Sequence, residues 1–410
     1  MLFWKECRRI LLSVVYILYF IMVLFVFTSQ VEGDIAVIGP PEPGRPEYGR
    51  TVREDPEILM PAAAVSLLND YLNNNYVTYP IGFIRYVHLK DKDAEKMGIL
   101  LEMMTGMDIS ELENLRFREP EYAAGDYNGY TLDVPVDPSL SYEDFLTLMD
   151  EADSILGGGS SYARENIARK FSTVPMTYEE AKAEYDSFIT DDKVTNGYAR
   201  LFCDYHGIFL VLLPAFVIAV FCTADRRGRM EELIYARHIS SAKLVLTRYA
   251  ALLCMLFLPV LVTAVWADIQ AAQAYPDTAL DRLAMYKYTL IWLVPTLVAV
   301  TGINMLVTET FSGISAVVLQ FAAWFVSLLT AGMELTGTIQ RFNIMVRHNS
   351  HLEREVFLDQ IGTFAFNRCF FTALGLLCAV LTVVVYKRKR EGKFHGFRVL
   401  GKVLHRQSQN

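Results

Sequence analysis

The sequence predicts an α-helical polytopic membrane protein, with six transmembrane helices and a mostly helical (α+β) extracellular domain between the first and the second. Three observations lead there. Of 410 residues, 53% are hydrophobic, and the mean hydropathy is +0.25, a balance unusual for a soluble chain. Six stretches approach the roughly 20 apolar residues that cross about 30 Å of hydrocarbon. Charge is unevenly divided: residues 31–200 hold 32 Asp and Glu against 15 Lys and Arg, a balance of −17, which leaves +9 for the rest and −8 overall. Two parts of the chain therefore face different environments.

The spans predicted are residues 10–27, 207–224, 249–267, 288–308, 311–333 and 369–386, each free of Asp, Glu, Lys and Arg. Pro214, Pro259 and Pro295 interrupt three of them, which a bundle tolerates because neighbouring helices satisfy the freed carbonyls. The first stretch follows Lys5, Arg8 and Arg9, as a secretion signal would. Its apolar run exceeds a signal core and no small-x-small site follows, so an uncleaved anchor is expected. Orientation follows the basic residues. Arg226, Arg227, Arg229, Arg237, Lys243 and Arg248 fill the connection between spans two and three, and Lys387 to Arg390 follow span six. Both connections are expected in the cytoplasm, with both termini. The expected layout is residues 1–29 as N-terminus and first span, 30–203 outside, 204–386 as the remaining bundle with a coupling segment at 225–243, and 387–410 as a basic tail. The plasma membrane is the expected location.

The outer block opens with a Pro/Gly/Glu-rich tether at residues 39–46, too polar to join a core. Ser110-x-x-Glu113, Ser141-x-x-Asp144 and Thr177-x-x-Glu180 each carry the hydroxyl and carboxylate spacing of a helix start. Residues 61–72 read as helix, and residues 81–89 and 130–136 alternate as short strands. The helix opening at Thr177 is expected to run on toward span two.

Composition excludes several classes. Cys7, Cys203, Cys222, Cys254, Cys369 and Cys378 all lie in or beside apolar spans, so no outer disulfide framework and no paired-cysteine zinc site is expected. Basic residues in short clusters beside spans argue against nucleic-acid binding. Gly157, Gly158 and Gly159 precede Ser160 and Ser161 without the lysine of a phosphate-binding loop; the run reads as a turn, with Ser160 or Ser161 as the next N-cap. The chain is therefore not expected to hydrolyse ATP or to hold a cofactor. His348, His351 and Glu355 recur at helical spacing and suit either a metal or a polar boundary, the boundary being preferred. Asp204 with His206 reads as a sensing pair or a hydrated pair, and Asn304 and Gln320 as interhelical bridges before substrate contacts.

The most informative stretch runs from Arg226 to Leu244. Met230, Leu233, Ile234 and Arg237 recur at helical spacing, with Glu231 and Glu232 opposite, and predict a short amphipathic helix under the membrane. Such a helix lies in headgroups, docks in a partner, or merely connects two spans.

Gly228-Arg229-Met230-Glu231-Glu232-Leu233, then Tyr235, Arg237-His238-Ile239-Ser240 and Arg248, resemble the segment between spans two and three of ABC type 2 permeases. Those are membrane subunits of one class of ATP-binding-cassette exporter. Six spans, the closeness of spans four and five, and Asn367-Arg368 at the entry to span six extend the likeness over the membrane half. His238 stands where many members have proline, and the outer domain is far larger than in the simplest ones. The resemblance implies a coupling role for Gly228, Arg229, Met230, Glu231, Glu232, Leu233, Tyr235, Arg237 and Ser240. It also implies a pair of identical or related permease subunits and two separate ATPase subunits. An ATPase-driven machine that moves its outer domain without cargo, and a stand-alone receptor, are the competing expectations.

Overall fold

The computed structural model describes residues 2–79, 84–114, 134–330 and 339–393. They form two compact units, one of Met1–Gly39 with Glu184–Asn410 and one of Pro40–Ala183. In chain order the elements begin with α1 (Leu2–Leu11) and α2 (Val14–Gln30). Ser13 separates them and caps α2 through a bond from the Tyr16 amide, 3.2 Å. The predicted first span thus starts at this break, and α1 is a separate helix with Lys5, Arg8 and Arg9.

The second unit follows: β1 (Arg50–Val52), α3 (Pro56–Asn73), β2 (Tyr76–Thr78), β3 (Arg85–Val87), α4 (Asp91–Thr105), α5 (Ile109–Glu113), α6 (Tyr142–Leu156), α7 (Arg164–Phe171) and β4 (Thr173–Pro175). α8 (Tyr178–Thr190) leads out of it. β1 pairs antiparallel with β4, and β2 with β3. α3, α4, α6 and α7 bury Leu67, Leu68, Leu101, Met104, Phe145, Met149 and Ile167 in one core, the apolar stripe that makes short helices stable together. Residues 39–46 hold no helix or strand.

The helix starts at Ser141 and Thr177 form as expected. Ser141 Oγ accepts from the Asp144 amide at 3.2 Å, and Thr177 and Glu180 exchange bonds of 3.3 and 2.8 Å, satisfying amide donors that a helix start leaves open. Two others differ. α5 is capped by Asp108, whose carboxylate accepts from the Ser110 amide at 3.2 Å, so a stronger acceptor two residues earlier displaces Ser110. Nor does Ser160 or Ser161 cap α7: Asp150 Oδ1 takes the Arg164 amide at 2.8 Å, while Gly159 O accepts from the Tyr79 amide at 2.7 Å and Ser160 bridges to Thr78. Of the strand expected at 81–89, β3 covers Arg85–Val87 and residues 81–83 lie outside the described residues; at 130–136, residues 134–136 are in no strand and 130–133 are likewise outside.

The remaining elements are α9 (Thr195–Leu210), α10 (Pro214–Arg227), α11 (Glu231–Tyr235), α12 (Ser241–Ala274), α13 (Ala284–Tyr288), α14 (Val294–Thr310), α15 (Gly313–Thr330), α16 (Arg354–Asp359) and α17 (Ile361–Arg390). A π-helical turn, Thr289–Leu293, joins α13 to α14 just before Pro295, absorbing the missing amide of that proline. Among the described residues five helices are long and apolar enough to cross a membrane, or six if α9 and α10, bent by 46° at the break before Pro214, are one span. The fold is that of an α-helical, multi-pass membrane protein. The spans outrun their apolar cores: the 34 residues of α12 reach about 51 Å at 1.5 Å per residue, well beyond 30 Å of hydrocarbon.

α14 sits at the centre, 61% of its apolar window buried, whereas α15 has 17% buried and turns Ile314, Val318, Phe321 and Phe325 outward. α14 and α17 touch backbone to backbone: a Cβ on Gly302 would stand 2.2 Å from Gly375 O, and one on Gly375 2.4 Å from Val298 O. Small residues permit this approach, and close packing replaces the hydrophobic drive that lipid does not supply.

Candidate functional site

α10 ends at Gly228, and Arg229 adopts a left-handed backbone, φ 53°, that reverses the chain in a single residue. Met230 then starts α11, with Glu231 and Glu232 in its first turn, where the helix dipole favours carboxylates. Tyr235 closes α11, Arg237 and His238 occupy the following turn, and Ser240 caps α12 by accepting from the Lys243 amide at 3.2 Å. All nine predicted site residues therefore lie in one short connector between α10 and α12.

The amphipathic face differs from the expected one. Of Met230, Leu233, Ile234 and Arg237, only Ile234 is buried; Leu233 is 65% exposed and Met230 46%. The reversal at Arg229 restarts the helix with only five residues, too few to carry one apolar stripe. The connector thus offers apolar and charged side chains outward. Beside it opens a cavity of about 570 Å³ lined by Glu6, Arg9, Asp225, Met230, Ile234 and Arg248 among others.

Four of those residues form an ion cluster that sequence reading missed. Arg248 of α12 pairs with Glu6 of α1 at 3.3 Å and, at close range, with Asp225 of α10. Arg9 of α1 pairs with Asp225 at 3.1 Å and Glu6 at 3.5 Å, its guanidinium 4.3 Å over the Phe221 ring. Two acids and two bases balance, as a largely buried cluster requires. Arg248 and Glu6, and Arg9 and Asp225, lie more than 200 residues apart, beyond any local spacing signal. Together they tie α1, α10 and the start of α12 to one another across the cavity from α11. Tyr235 packs edge-on against Tyr386 at 5.7 Å, and burial, with Glu231 and Glu309 nearby, pushes its hydroxyl up to about 12. The tyrosine stays neutral at any physiological pH.

At the other end of the bundle, Asp204 and His206 do not form a pair. Asp204 accepts from Arg347 Nε at 2.5 Å, from the His348 amide at 2.6 Å and from the Asn349 amide. His206 instead reaches Phe202 O at 2.9 Å and Thr263 Oγ1 at 3.2 Å. Arg347 is thus committed to Asp204. His348 packs on Phe357 and His351 stacks on Tyr198, so the three candidate ligands diverge. Among the described residues no group of three His, Cys, Asp or Glu is placed to hold a metal. Gln320 joins α15 to the α9–α10 break, accepting from Asn304 Nδ2 and donating to Val211 O, both at 2.6 Å; it is a bridge.

Compared with family models, with curated proteins and with solved structures, the chain matches none.

Proposed function

We propose that the chain is the permease subunit of an ATP-binding-cassette exporter, driven by a separate ATPase that docks on residues 228–240. The observation that carries the proposal is the connector itself. The connector turns Met230, Glu232, Leu233 and Arg237 outward beside a cavity whose far side is an ion cluster tying α1, α10 and α12 together. A connector that only joins two spans needs neither the left-handed turn at Arg229 nor an outward apolar Leu233. Under this reading the connector, α1 and the end of α17 are cytoplasmic, residues 40–183 are extracellular, and two such chains, identical or related, assemble in the plasma membrane with two ATPases. Transport then requires two bundle packings of similar energy, between which ATP binding selects. Side chains of the connector bind and transmit; covalent chemistry belongs to the ATPase.

Gentle extraction of the tagged full-length chain tests this directly. An ATPase is expected to co-purify, and to be lost from a variant with E231K, E232K and R237E, which inverts the charge of the outward face. A wild-type chain recovered alone would defeat the proposal in favour of a receptor or a headgroup-bound connector.

The separate core of residues 40–183 favours a second reading, in which the same ATPase moves that unit without carrying cargo. Flux in reconstituted vesicles decides between them: ATP-dependent movement of any compound supports the exporter, and ATP turnover with no flux across a broad compound panel supports the mechanical reading.

A further inference from the structure

The four basic residues that end α17 read, by sequence, as a topology signal only. Two of them do more. Arg390 directs its guanidinium at the C-terminal side of α11, donating from Nε to Tyr235 O at 2.9 Å, from Nη1 to Ile239 O at 2.5 Å and from Nη2 to Arg237 O at 2.7 Å. Tyr235 O is a carbonyl that the end of α11 leaves without an intrahelical partner, Arg237 O and Ile239 O belong to the turn that follows, and a cation there also complements the helix dipole. The planar fork of arginine is what reaches three carbonyls at once; an ammonium is a point charge. Lys389, one residue earlier, grips the other end through a relay. It pairs with Glu309 of α14 at 3.1 Å, Glu309 faces Arg226 of α10 at 3.7 Å, and Arg226 pairs with Glu231 in the first turn of α11 at 3.2 Å.

We infer that Lys389 and Arg390 form a yoke that holds both ends of α11 and ties its movement to α17. Arg390 is a positioning residue of the docking connector. The yoke leads directly into the packed pair at the centre of the bundle, because α17 meets α14 at Gly302 and Gly375 without intervening side chains. A push on α11 therefore has a path through Arg390 to α17 and the central span that does not pass through α10 or α12, while the Lys389 relay runs by way of Arg226 of α10. This inference rests on the docking role proposed above, but the hold on α11 is measurable without any ATPase.

The test is hydrogen–deuterium exchange of the purified full-length chain in lipid nanodiscs, resolved by peptide. In R390Q the amides of residues 231–239 are expected to exchange roughly tenfold faster, as charge-assisted bonds to the helix end are lost. Peptides from 244–274 and 361–385 should keep their wild-type rates. R390K should fall between, retaining charge without the fork. Unchanged exchange at 231–239 in R390Q overturns the yoke, and so does a rise spread evenly over all spans, which would mark Arg390 as part of general stability. Where an ATPase is recovered with the wild-type chain, ATP is expected to alter exchange in 361–385 of that complex and not in R390Q. An identical ATP response in both refutes transmission through Arg390. Failure to recover any ATPase counts against the docking role alone, since the exchange of the isolated chain still decides whether the yoke exists.

Discussion

His348 is completely buried, and burial, with the Arg200 guanidinium near, lowers its imidazole from 6.5 to about 4; His351 shifts the same way for the same causes. An unfolded imidazole takes its proton near 6.5 and the folded one only near 4, so the folded state binds fewer protons across that interval. The stability these neutral histidines permit is complete above about pH 6.5 and is lost as pH falls, by about 2 kcal/mol for His348 at about pH 5. Thermal unfolding at stepped pH should show this slope, and H348Q should reduce it to the share of His351; an H348Q profile parallel to wild type would contradict the assignment. Asp204 offers a second test at this scale. It is 1% exposed and accepts from Arg347 and two successive amides, so D204N should cost about 3–5 kcal/mol, read as a lowered melting temperature of the purified chain.

Among elements, the α14–α17 pair has the least room. G302A would place a methyl group 2.2 Å from Gly375 O, and since both atoms belong to backbones, neither can swing aside. The helices must separate, at about 1–3 kcal/mol or more, and G375A should behave alike in a thermal melt. By contrast T177A removes one capping bond at the start of α8 and should cost only about 1 kcal/mol. If the two kinds of substitution melt alike, the backbone contact is not as close as described.

For the whole molecule, the division into two units makes its own prediction. Residues 40–183 have a hydrophobic core drawn from within that unit, mostly from its helices. Expressed alone, this segment should be soluble, helical by far-ultraviolet circular dichroism and cooperative on heating; a broad, non-cooperative melt would show that it depends on the rest of the chain. The bundle was largely legible beforehand, since apolar runs near 20 residues announce spans whatever their partners. The second span was only half legible: α9 starts at Thr195, twelve residues before the predicted start, because Arg200 and Asp204 look unfit for a span. Arg200 is in fact bonded to Asp192 at 2.9 Å, and Asp204 to Arg347, partners that hydropathy does not see.

Sequence alone thus determined the class of protein, the apolar stretches of its candidate spans, the separate acidic block and the short connector that the site is built on. These depend on composition and spacing within about 20 residues, the range over which lipid and helix geometry act. The tertiary structure decided which way that connector faces and what holds it. The cluster of Glu6, Arg9, Asp225 and Arg248 and the grip of Lys389 and Arg390 include pairs from 80 to more than 200 positions apart. A buried charge is tolerable only beside its partner, and which partner arrives is settled by how the helices pack.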